Sequence, residues 1–487
     1  MGGATVKVAG ATISTTHWIG GERVGSQETF PVFSPIDGTH LADVAAGGEK
    51  EVAAAVAAAR QAFPAWAGLG PEGRAPILKR FAEAISARAN ELAAVETLDN
   101  GSLQIGNAMR TMPRAAHNID YFADLALKMK GQEIDSPEVV NHVHYDPAGV
   151  AALITPWNAP FMLTTWKVGP ALAAGNTVVV KPPEWAPLTC SLMADIAAEA
   201  GVPPGVLNVV QGIGEAAGAA LVAHPRINRI SFTGSTDTAR LIGKAAAENL
   251  VPVSFELGGK SPFIVLADAD LDAAAHTVAT QYLNAGQVCL AGTRLFVDAS
   301  ISDDFQEKVK QAVTHMKVGD PRDKTVRVGP LITPEHFDRV SGFVERAMAA
   351  GAQCLWGGAR HDAGELYFAP TMLSGVSLEA EINRKEVFGP VLTWQTFDDE
   401  AELIAAANGT EYGLAATLFS RDAARANRIA GQLVAGTVWV NCFFIRDLAA
   451  PFGGARHSGI GREGGHWSFD FFADVKNISI RKESFSG

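Results

Sequence analysis

The sequence has few cysteines, and none of them is spaced for a zinc site. Its 487 residues contain four, Cys190, Cys289, Cys354 and Cys442, with no CxxC pair, so neither a metal site nor a disulfide framework is expected. No apolar run reaches the roughly 18 residues that would span a bilayer. The opening segment, MGGATVKVAGATISTTHWIGG, contains no long apolar core or basic leader. A cytoplasmic location without a membrane partner is therefore predicted.

The sequence also has fewer basic than acidic residues. The 40 Lys and Arg against 52 Asp and Glu give a formal net charge of -12. This charge argues against nucleic acid as a partner, because a polyanion is bound by clustered positive charge. At 487 residues the chain exceeds a single core of roughly 250–300 residues, so at least two domains are expected.

Strand-like and helical segments alternate along most of the chain. The apolar runs VAALITPW, NTVVVKP, GVLNVV and RISFTG are separated by helical segments, and SPFIVL, TRLFV and GTVWV repeat the pattern after Glu256. This alternation predicts an α/β protein with two domains, each built on a parallel sheet covered by helices on both faces. The last segment, DVKNISIRK, has no obvious local partner and is typical of a strand that completes a neighbouring subunit's sheet.

Two glycine-containing segments are candidates for dinucleotide binding. Gly212-Ile-Gly214-Glu-Ala-Ala-Gly218 has one residue too many before its last glycine, so Gly214 and Gly218 are a weak signal by themselves. Phe232-Thr233-Gly234-Ser235 lies where the strand RISF turns into the predicted helix TDTARLIGKAAAE. The amides at the start of that helix are suited to bind a phosphate, and Ser235 can donate to it.

A cation and a carboxylate follow the strand NTVVVKP. Lys181 ends the strand and Glu184 comes three residues later, at the edge where parallel sheets bind ligands. Glu184 can accept hydrogen bonds from both hydroxyls of an adenosine ribose and would repel a 2′-phosphate, so the pair favours NAD over NADP. The alternative is a solvated Lys–Glu pair without a ligand.

Three ordered motifs resemble those of the aldehyde dehydrogenase superfamily. They are Thr155-Pro156-Trp157-Asn158, Phe255-Glu256-Leu257-Gly258-Gly259-Lys260 and Asn284-Ala285-Gly286-Gln287-Val288-Cys289. The resemblance extends from about Trp18 to the C-terminus and includes residues 388–391 and 458–463. It implies an enzyme that oxidises a small-molecule aldehyde with NAD as cofactor.

The resemblance also implies a domain plan of two Rossmann-like parallel-sheet domains and a small β oligomerisation arm. Residues 1–125 and 147–255 would form the NAD-binding domain, and residues 256–457 the catalytic domain. Residues 126–146 and 458–487 would bridge the subunits of a homodimer or homotetramer.

Three polar residues receive catalytic roles from the resemblance. Cys289 is the nucleophile, because thiolate attack on the carbonyl creates the tetrahedral carbon from which hydride departs. The Asn158 amide and the Cys289 backbone N–H stabilise the oxyanion, and Glu256 activates the water that hydrolyses the thioester and can also help to deprotonate Cys289. Considered alone, the three would be a buried apolar residue, a turn residue and a domain-junction cap.

Further positions carry over from the family. The residues expected to contact the cofactor are Ile154, Thr155, Pro156, Trp157, Leu257 and Gly258, with Glu386 and Phe388 holding the nicotinamide ribose and ring. Lys167 and Glu463 match a suggested proton-exit route, and a purely structural role for either is the alternative.

Two arginines indicate an aldehyde that carries negative charge. Arg114 and Arg446 lie in segments that resemble the muconic semialdehyde branch, where arginines bind a substrate carboxylate through paired N–H donors. Some relatives carry a second Arg after the Arg-Asp-Leu element, where this chain has two alanines at 449 and 450. The predicted site therefore has fewer cations than the site of those relatives. The alternative is a local ion pair between Arg446 and an acid such as Asp447.

Other functions remain open beside this one. Four aromatic residues suggest an aromatic-walled tunnel that would also suit benzaldehyde or salicylaldehyde: Trp166, Phe161, Phe443 and Phe444. A CoA-acylating enzyme would use the same cysteine and cofactor but needs no water-activating base, so Glu256 disfavours it. A non-enzymatic role is disfavoured by the intact set of Cys289, Glu256 and Asn158.

Overall fold

The structure is a computed structural model that describes residues 4–482. Its strands are β1 (Thr5–Val8), β2 (Ala11–Ser14), β3 (His17–Ile19), β4 (Glu22–Val24), β5 (Thr29–Phe33), β6 (His40–Ala45), β7 (Gln132–Asp135), β8 (Val139–Pro147), β9 (Val150–Ile154), β10 (Thr177–Lys181), β11 (Leu207–Val209), β12 (Arg229–Thr233), β13 (Val253–Glu256), β14 (Pro262–Val265), β15 (Arg294–Asp298), β16 (Lys317–Val318), β17 (Val326–Val328), β18 (Gln353–Trp356), β19 (Thr371–Ser374), β20 (Val391–Phe397), β21 (Ala415–Phe419), β22 (Thr437–Val440), β23 (Gly459–Ile460) and β24 (Ala473–Arg481).

The helices are α1 (Glu49–Gly68), α2 (Gly70–Ala87), α3 (Ala89–Asn100), α4 (Gln104–Gly106), α5 (Met112–Ala126), α6 (Pro160–Ala173), α7 (Leu188–Glu199), α8 (Ala219–Ala223), α9 (Thr236–Glu248), α10 (Leu271–Thr280), α11 (Ser302–Thr314), α12 (Pro334–Ala349), α13 (Glu381–Arg384), α14 (Glu400–Asn408), α15 (Ala423–Ala430) and α16 (Gly465–Phe472). Within residues 4–482, no helix has the length and apolar content needed to cross a membrane.

The first sheet has the strand order β23-β13-β12-β9-β10-β11-β3-β4. The strands from β13 to β11 are parallel, and antiparallel β23 and the β3–β4 hairpin lie at the two edges. Val178 and Val180 on β10 pack into one hydrophobic cluster, whereas Val179 packs into another on the opposite face. This alternation is what a strand covered by helices on both faces requires.

The second sheet has the order β18-β19-β20-β15-β14-β21-β22 and is parallel except for β18. Phe263 and Val265 on β14 pack on one face, and Ile264 packs on the other. The predicted α/β class with two parallel-sheet domains is therefore confirmed.

A separate antiparallel sheet, β24-β8-β7, extends from the first domain. The predicted terminal strand is β24, and its partner is not local in sequence but is β8 of the same chain, paired from Ala473↔Pro147 to Arg481↔Val139. The segment predicted as one bridging unit, 458–487, is also divided. β23 extends the first sheet and α16 packs against α6, so within the described part of this segment only β24 (Ala473–Arg481) joins the arm.

Candidate active site

The segment that carries Cys289 follows α10 in a tight left-handed turn. Asn284 and Ala285 have φ angles of 54° and 52°. A Cβ at Gly286, whose φ is 68°, would lie 2.1 Å from the backbone oxygen of Gly389, so this position requires glycine. The turn places Cys289 against the hydrophobic core of the first domain, where solvent still reaches part of the residue.

Asn158 lies beside this turn, two residues before α6 begins. Its Nδ2 donates to the backbone oxygen of Gln287 at 2.9 Å, and Asn284 Nδ2 donates to the backbone oxygen of Asn158 at 3.2 Å. These bonds join the first domain to the cysteine segment. An amide nitrogen carries two hydrogens, and the second N–H of Asn158 has no acceptor among residues 4–482.

The surroundings of Cys289 keep its thiol protonated. Burial and the carboxyl groups of Glu386 and Glu256 together raise the pKa of this thiol to about 12, and Arg446 acts in the opposite direction. Since the thiolate is the nucleophilic form, attack requires a base or a change in these surroundings when ligands bind.

Glu256 ends β13 with its carboxyl group buried. Neither Oε1 nor Oε2 has a hydrogen-bond partner among residues 4–482. Burial, followed by the nearby Glu463, raises the pKa of Glu256 well above its ordinary value, while three cations oppose the rise: Lys167, Arg446 and Arg462. A carboxyl group with a raised pKa and no fixed partner is suited to exchange protons.

Lys167 and Glu463 form a buried ion pair, with 2.7 Å between Nζ and Oε1. Ser231 completes it, because its Oγ accepts from Lys167 Nζ at 2.8 Å and donates to Glu463 Oε1 at 3.1 Å. The Trp166 indole N–H donates to the other carboxylate oxygen. The two predicted residues thus meet in a buried network that suits a proton path and a structural role alike.

The predicted adenosine side of the site lies at the carboxyl edge of the first sheet. β10 ends at Lys181, whose Nζ is 2.6 Å from Glu184 Oε2. β12 leads into Gly234 and Ser235, and Ser235 Oγ caps α9 by accepting from the backbone N–H three residues later. A Cβ at Gly234 would lie 2.4 Å from the Phe232 ring, so glycine is required at this turn.

Gly214 and Gly218 bound a short π-helical turn after β11. A Cβ at either position would meet no atom within 4 Å, so the space beside both is open. The constrained glycine of this segment is Gly212, which has φ 144° and lies against Gly47.

The predicted nicotinamide side brings the two domains together. The residues Ile154, Thr155, Pro156 and Trp157 lie at the end of β9. The Trp157 ring packs edge-on against Phe388 of the second domain, with 5.3 Å between ring centroids. Trp157 also contacts Trp185 and His336, which the sequence did not single out.

Glu386 packs against the turn after β13. Its Oε1 accepts from the backbone N–H of Gly259 at 3.1 Å, and a Cβ at Gly258 would lie 2.1 Å from Oε2. Leu257 donates through its backbone N–H to Ser458 at 2.9 Å. Burial raises the pKa of Glu386 to about 7.

Arg114 and Arg446, here called the arginine pair, lie over the same Trp166 ring. Their Cζ atoms are 5.8 and 4.6 Å from its centroid, and Arg446 also lies 3.6 Å from the centroid of Phe452. Among residues 4–482 neither arginine forms an ion pair, and the buried Arg446 Nη2 has no hydrogen-bond partner. Asp447 accepts instead from the backbone N–H of Ala449, so the alternative Arg446–Asp447 pair does not form.

The predicted aromatic tunnel needs a correction at Phe161. This side chain is 0% exposed and packs within the first domain's core, and only Trp166 of the two α6 aromatics contacts the arginine pair. Phe443 packs on Trp439 and Phe444, and Phe444 is 49% exposed. Trp166 therefore lies inside the site, whereas Phe444 lies at the surface.

Comparison with known proteins identifies the family. Residues 23–478 match the model of the aldehyde dehydrogenase family. The chain belongs to this family. It is 41% identical to 2-aminomuconic semialdehyde dehydrogenase from Danio rerio, covering 96% of this chain and 98% of that protein. It is 43% identical to 2-hydroxymuconic semialdehyde dehydrogenase from Pseudomonas sp. (strain CF600), covering 96% and 99%.

A solved structure agrees with the fold of this aldehyde dehydrogenase. Indole-3-acetaldehyde dehydrogenase from P. syringae, in complex with NAD+ and IAA, superimposes with a TM-score of 0.95 at 39% identity, covering 97% of each chain. Its family and its relatives show that the chain is an oxidoreductase that acts on aldehydes.

Several residues of this aldehyde dehydrogenase's site were missed by sequence analysis. Ser231 had a signal, since it is the polar residue inside the apolar strand RISF. Phe452 had no signal, because an aromatic residue is equally common in cores. Gly453 had none either. A Cβ at Gly453 would lie 2.7 Å from Glu256 Oε1, so this glycine makes room for the carboxyl group.

Proposed function

We propose that this aldehyde dehydrogenase oxidises an aldehyde with a distal carboxylate, of the muconic semialdehyde type, to the corresponding acid, with NAD as cofactor. The observation that carries the substrate class is the arginine pair. Two partly buried cations that form no ion pair among residues 4–482 are unfavourable unless a ligand anion compensates them, although carboxyl groups lie near both. The two muconic semialdehyde dehydrogenases among the relatives support the same class.

Cofactor binding is assigned to residues on both domains. Lys181 and Glu184 would hold the adenosine ribose, and the α9 N-terminus with Ser235 would meet the phosphates, since backbone N–H groups at a helix start favour anions. Glu386 would hold the nicotinamide ribose beside Phe388. NAD, when bound, supplies the acceptor for the hydride. The carboxylate of Glu184 disfavours a 2′-phosphate, and a more than tenfold preference for NADP would contradict this assignment.

In the first half of the reaction, Cys289 Sγ attacks the aldehyde carbon. Glu256 takes the thiol proton, directly or through a water molecule, and the Sγ–C bond forms as the carbonyl oxygen becomes an oxyanion. The second N–H of Asn158 and the backbone N–H of Cys289 donate to that oxygen. Such preorganised donors are each worth about 2.7–4 kcal/mol in the transition state.

In the second half, water hydrolyses the thioester that remains after hydride departure. Glu256, once it has released the thiol proton, accepts a proton from the attacking water, the C–Sγ bond breaks and Cys289 leaves as the thiolate. Arg446, close enough to lower the pKa of Glu256, favours the ionised base. The Lys167–Glu463 pair lies beside Glu256 and offers the proton a route away from the site.

The test compares two six-carbon aldehydes, 6-oxohexanoate and hexanal, by the rate of NADH formation. We expect a higher kcat/KM for 6-oxohexanoate, and loss of that preference in Arg114→Ala and Arg446→Ala. Cys289→Ala should have no activity with either aldehyde. Equal losses for both substrates in the arginine variants would refute the carboxylate assignment, and normal turnover by Cys289→Ala would refute the mechanism.

An aromatic aldehyde is the second candidate. It is favoured by the Phe443 and Phe444 rings, which lie 5.8 Å apart with a 32° tilt in the segment just before Arg446. A kcat/KM for benzaldehyde above that for 6-oxohexanoate would select it. A CoA-acylating reaction is tested by adding CoA, which we expect to leave the rate and the acid product unchanged because Glu256 supplies the base for hydrolysis.

The proposal includes a homodimer or homotetramer located in the cytoplasm. The outer edge of β24 has no strand partner among residues 4–482. An unpaired strand edge is suited to a contact with another subunit. Light scattering of the purified protein measures the assembly, and a monomer at micromolar concentration would contradict it.

A further inference from the structure

Asn118 is buried between α5 and α6, next to the arginine pair. It follows Arg114 by four residues on α5, so the two side chains share one side of the helix. Arg114 Nε donates to Asn118 Oδ1 at 3.1 Å. The Asn118 side chain is 0% exposed, so all of its hydrogen bonds must be made within the protein.

Contacts with α6 set the orientation of the Asn118 amide. Its Nδ2 donates to the backbone oxygen of Met162 at 3.2 Å and to Thr165 Oγ1 at 3.1 Å. Both hydrogens of the amide nitrogen are thereby used, and only Oδ1 is left to face Arg114. A flipped amide would present an N–H to the guanidinium and lose both acceptors.

A second contact holds the other side of the Arg114 guanidinium. Its Nη1 donates to the backbone oxygen of Arg446 at 3.1 Å. Nε and Nη1 are therefore occupied, whereas Nη2 has no hydrogen-bond partner among residues 4–482. Arg446 likewise has a buried Nη2 without a partner. Each arginine thus has an Nη2 that no group among residues 4–482 satisfies.

We infer that Asn118 is a positioning residue that sets specificity for anionic aldehydes, because its neutral oxygen holds Arg114 in place without cancelling the arginine's charge. An aspartate here would lose the bond donated to the Met162 oxygen, but it would still accept from Arg114 Nε and would form an ion pair with that arginine. The arginine pair would then carry one net positive charge instead of two. This inference rests on the proposed carboxylated substrate.

The experiment measures the ratio of kcat/KM for 6-oxohexanoate to that for hexanal. Asn118→Asp, which preserves side-chain size, should lower this ratio about tenfold or more, the effect expected of one interaction with a charged group. The change should appear in KM for 6-oxohexanoate, with kcat and the hexanal parameters close to wild type. Asn118→Ala, which frees Arg114 without neutralising it, should lower the ratio by a smaller factor.

Asn176→Asp is the matched control. Asn176 is also 0% exposed and makes three hydrogen bonds to backbone groups. It lies between the end of α6 and the start of β10, where its Oδ1 accepts from the backbone N–H of Gly149. The same chemical change there should leave the ratio at its wild-type value. If Asn118→Asp does not fold, Thr165→Val provides a milder variant, because it removes one of the two acceptors of the Asn118 amide.

The outcomes separate this inference from the function on which it rests. A wild-type ratio in the folded Asn118 or Thr165 variants, together with a lowered ratio in Arg114→Ala, would overturn the role of Asn118 and leave the substrate class standing. A ratio that Arg114→Ala does not change would overturn the proposed substrate class. A drop in kcat for both aldehydes in Asn118→Asp would indicate a general structural role and would also overturn the inference.

Discussion

Replacement of Arg446 by methionine separates two effects of its positive charge, one on binding of the substrate carboxylate and one on the pKa of Glu256. The guanidinium lies between the Trp166 and Phe452 rings, at 4.6 and 3.6 Å from their centroids, and methionine keeps much of the apolar contact with both. The variant therefore removes the positive charge with little change in packing. Lost cation–π attraction of about 1–2 kcal/mol is partly offset, because the unpaired Nη2 no longer has to be buried.

The first effect is specific to a carboxylated substrate. A hydrogen bond to a charged group contributes about 1.5–3 kcal/mol, which corresponds to a loss of roughly 10- to 150-fold in kcat/KM for 6-oxohexanoate. Hexanal has no carboxylate and escapes this loss. The ratio between the two aldehydes thus reports the contact between Arg446 and the substrate.

The second effect applies to every substrate. Arg446 opposes the rise in the pKa of Glu256, so its removal raises that pKa further and leaves less ionised base at neutral pH. The pH profile of kcat should shift toward higher pH for both aldehydes alike. Steady-state kinetics across a pH series, with NADH absorbance as the readout, measure both effects in the same experiment.

Arg462→Met is the matched control for this experiment. Arg462 also lowers the pKa of Glu256, but its guanidinium donates to the backbone oxygens of Gly454 and Gly461. This variant should shift the pH profile and keep the wild-type substrate ratio. The reasoning is refuted if Arg446→Met shifts the profile but keeps the ratio, or if Arg462→Met lowers the ratio as strongly as Arg446→Met.

Variants at four further positions of the site give additional predictions. Glu386→Gln should lower the pKa of Cys289 and speed its alkylation by iodoacetamide without cofactor; an unchanged rate would contradict this. Glu256→Gln should accumulate an acyl adduct detectable by mass spectrometry. Because burial raises the pKa of Glu256, its ionisation destabilises the fold as pH rises, so the thermal stability of Glu256→Gln should gain on wild type toward high pH. Asn158→Ala should lower kcat about 10²–10³-fold with alkylation intact. Glu184→Ala should raise KM for NAD more than for NADP.

Local sequence was sufficient for the features that depend on neighbouring residues. The alternation of apolar runs and helices predicted both parallel sheets, because strands covered on both faces are apolar along their length. The turn of β12 into α9 at Ser235 was predicted from the glycine and serine between the strand RISF and the helix TDTARLIGKAAAE. The roles proposed for Cys289, Glu256 and Asn158 came from motif order, which packing does not alter.

Features that join distant parts of the chain were decided by tertiary structure. Arg114 and Arg446 are 332 positions apart, and whether they meet each other or an acid depends on how α5 packs against the segment before Phe452. Periodicity could not tell which side of α6 faces the site, so Phe161 was assigned to a tunnel although it lies in the core.

The same reason applies to Asn118 and to β24. An asparagine four residues after an arginine is unremarkable in sequence, and its orientation is set by two acceptors on α6. β24 finds β8 across more than 300 residues because antiparallel pairing satisfies its backbone hydrogen bonds there. The sequence by itself determined which chemical groups this aldehyde dehydrogenase has. Packing between the domains decided which of them meet, because buried charge and hydrogen bonding are settled only when all neighbours are in place.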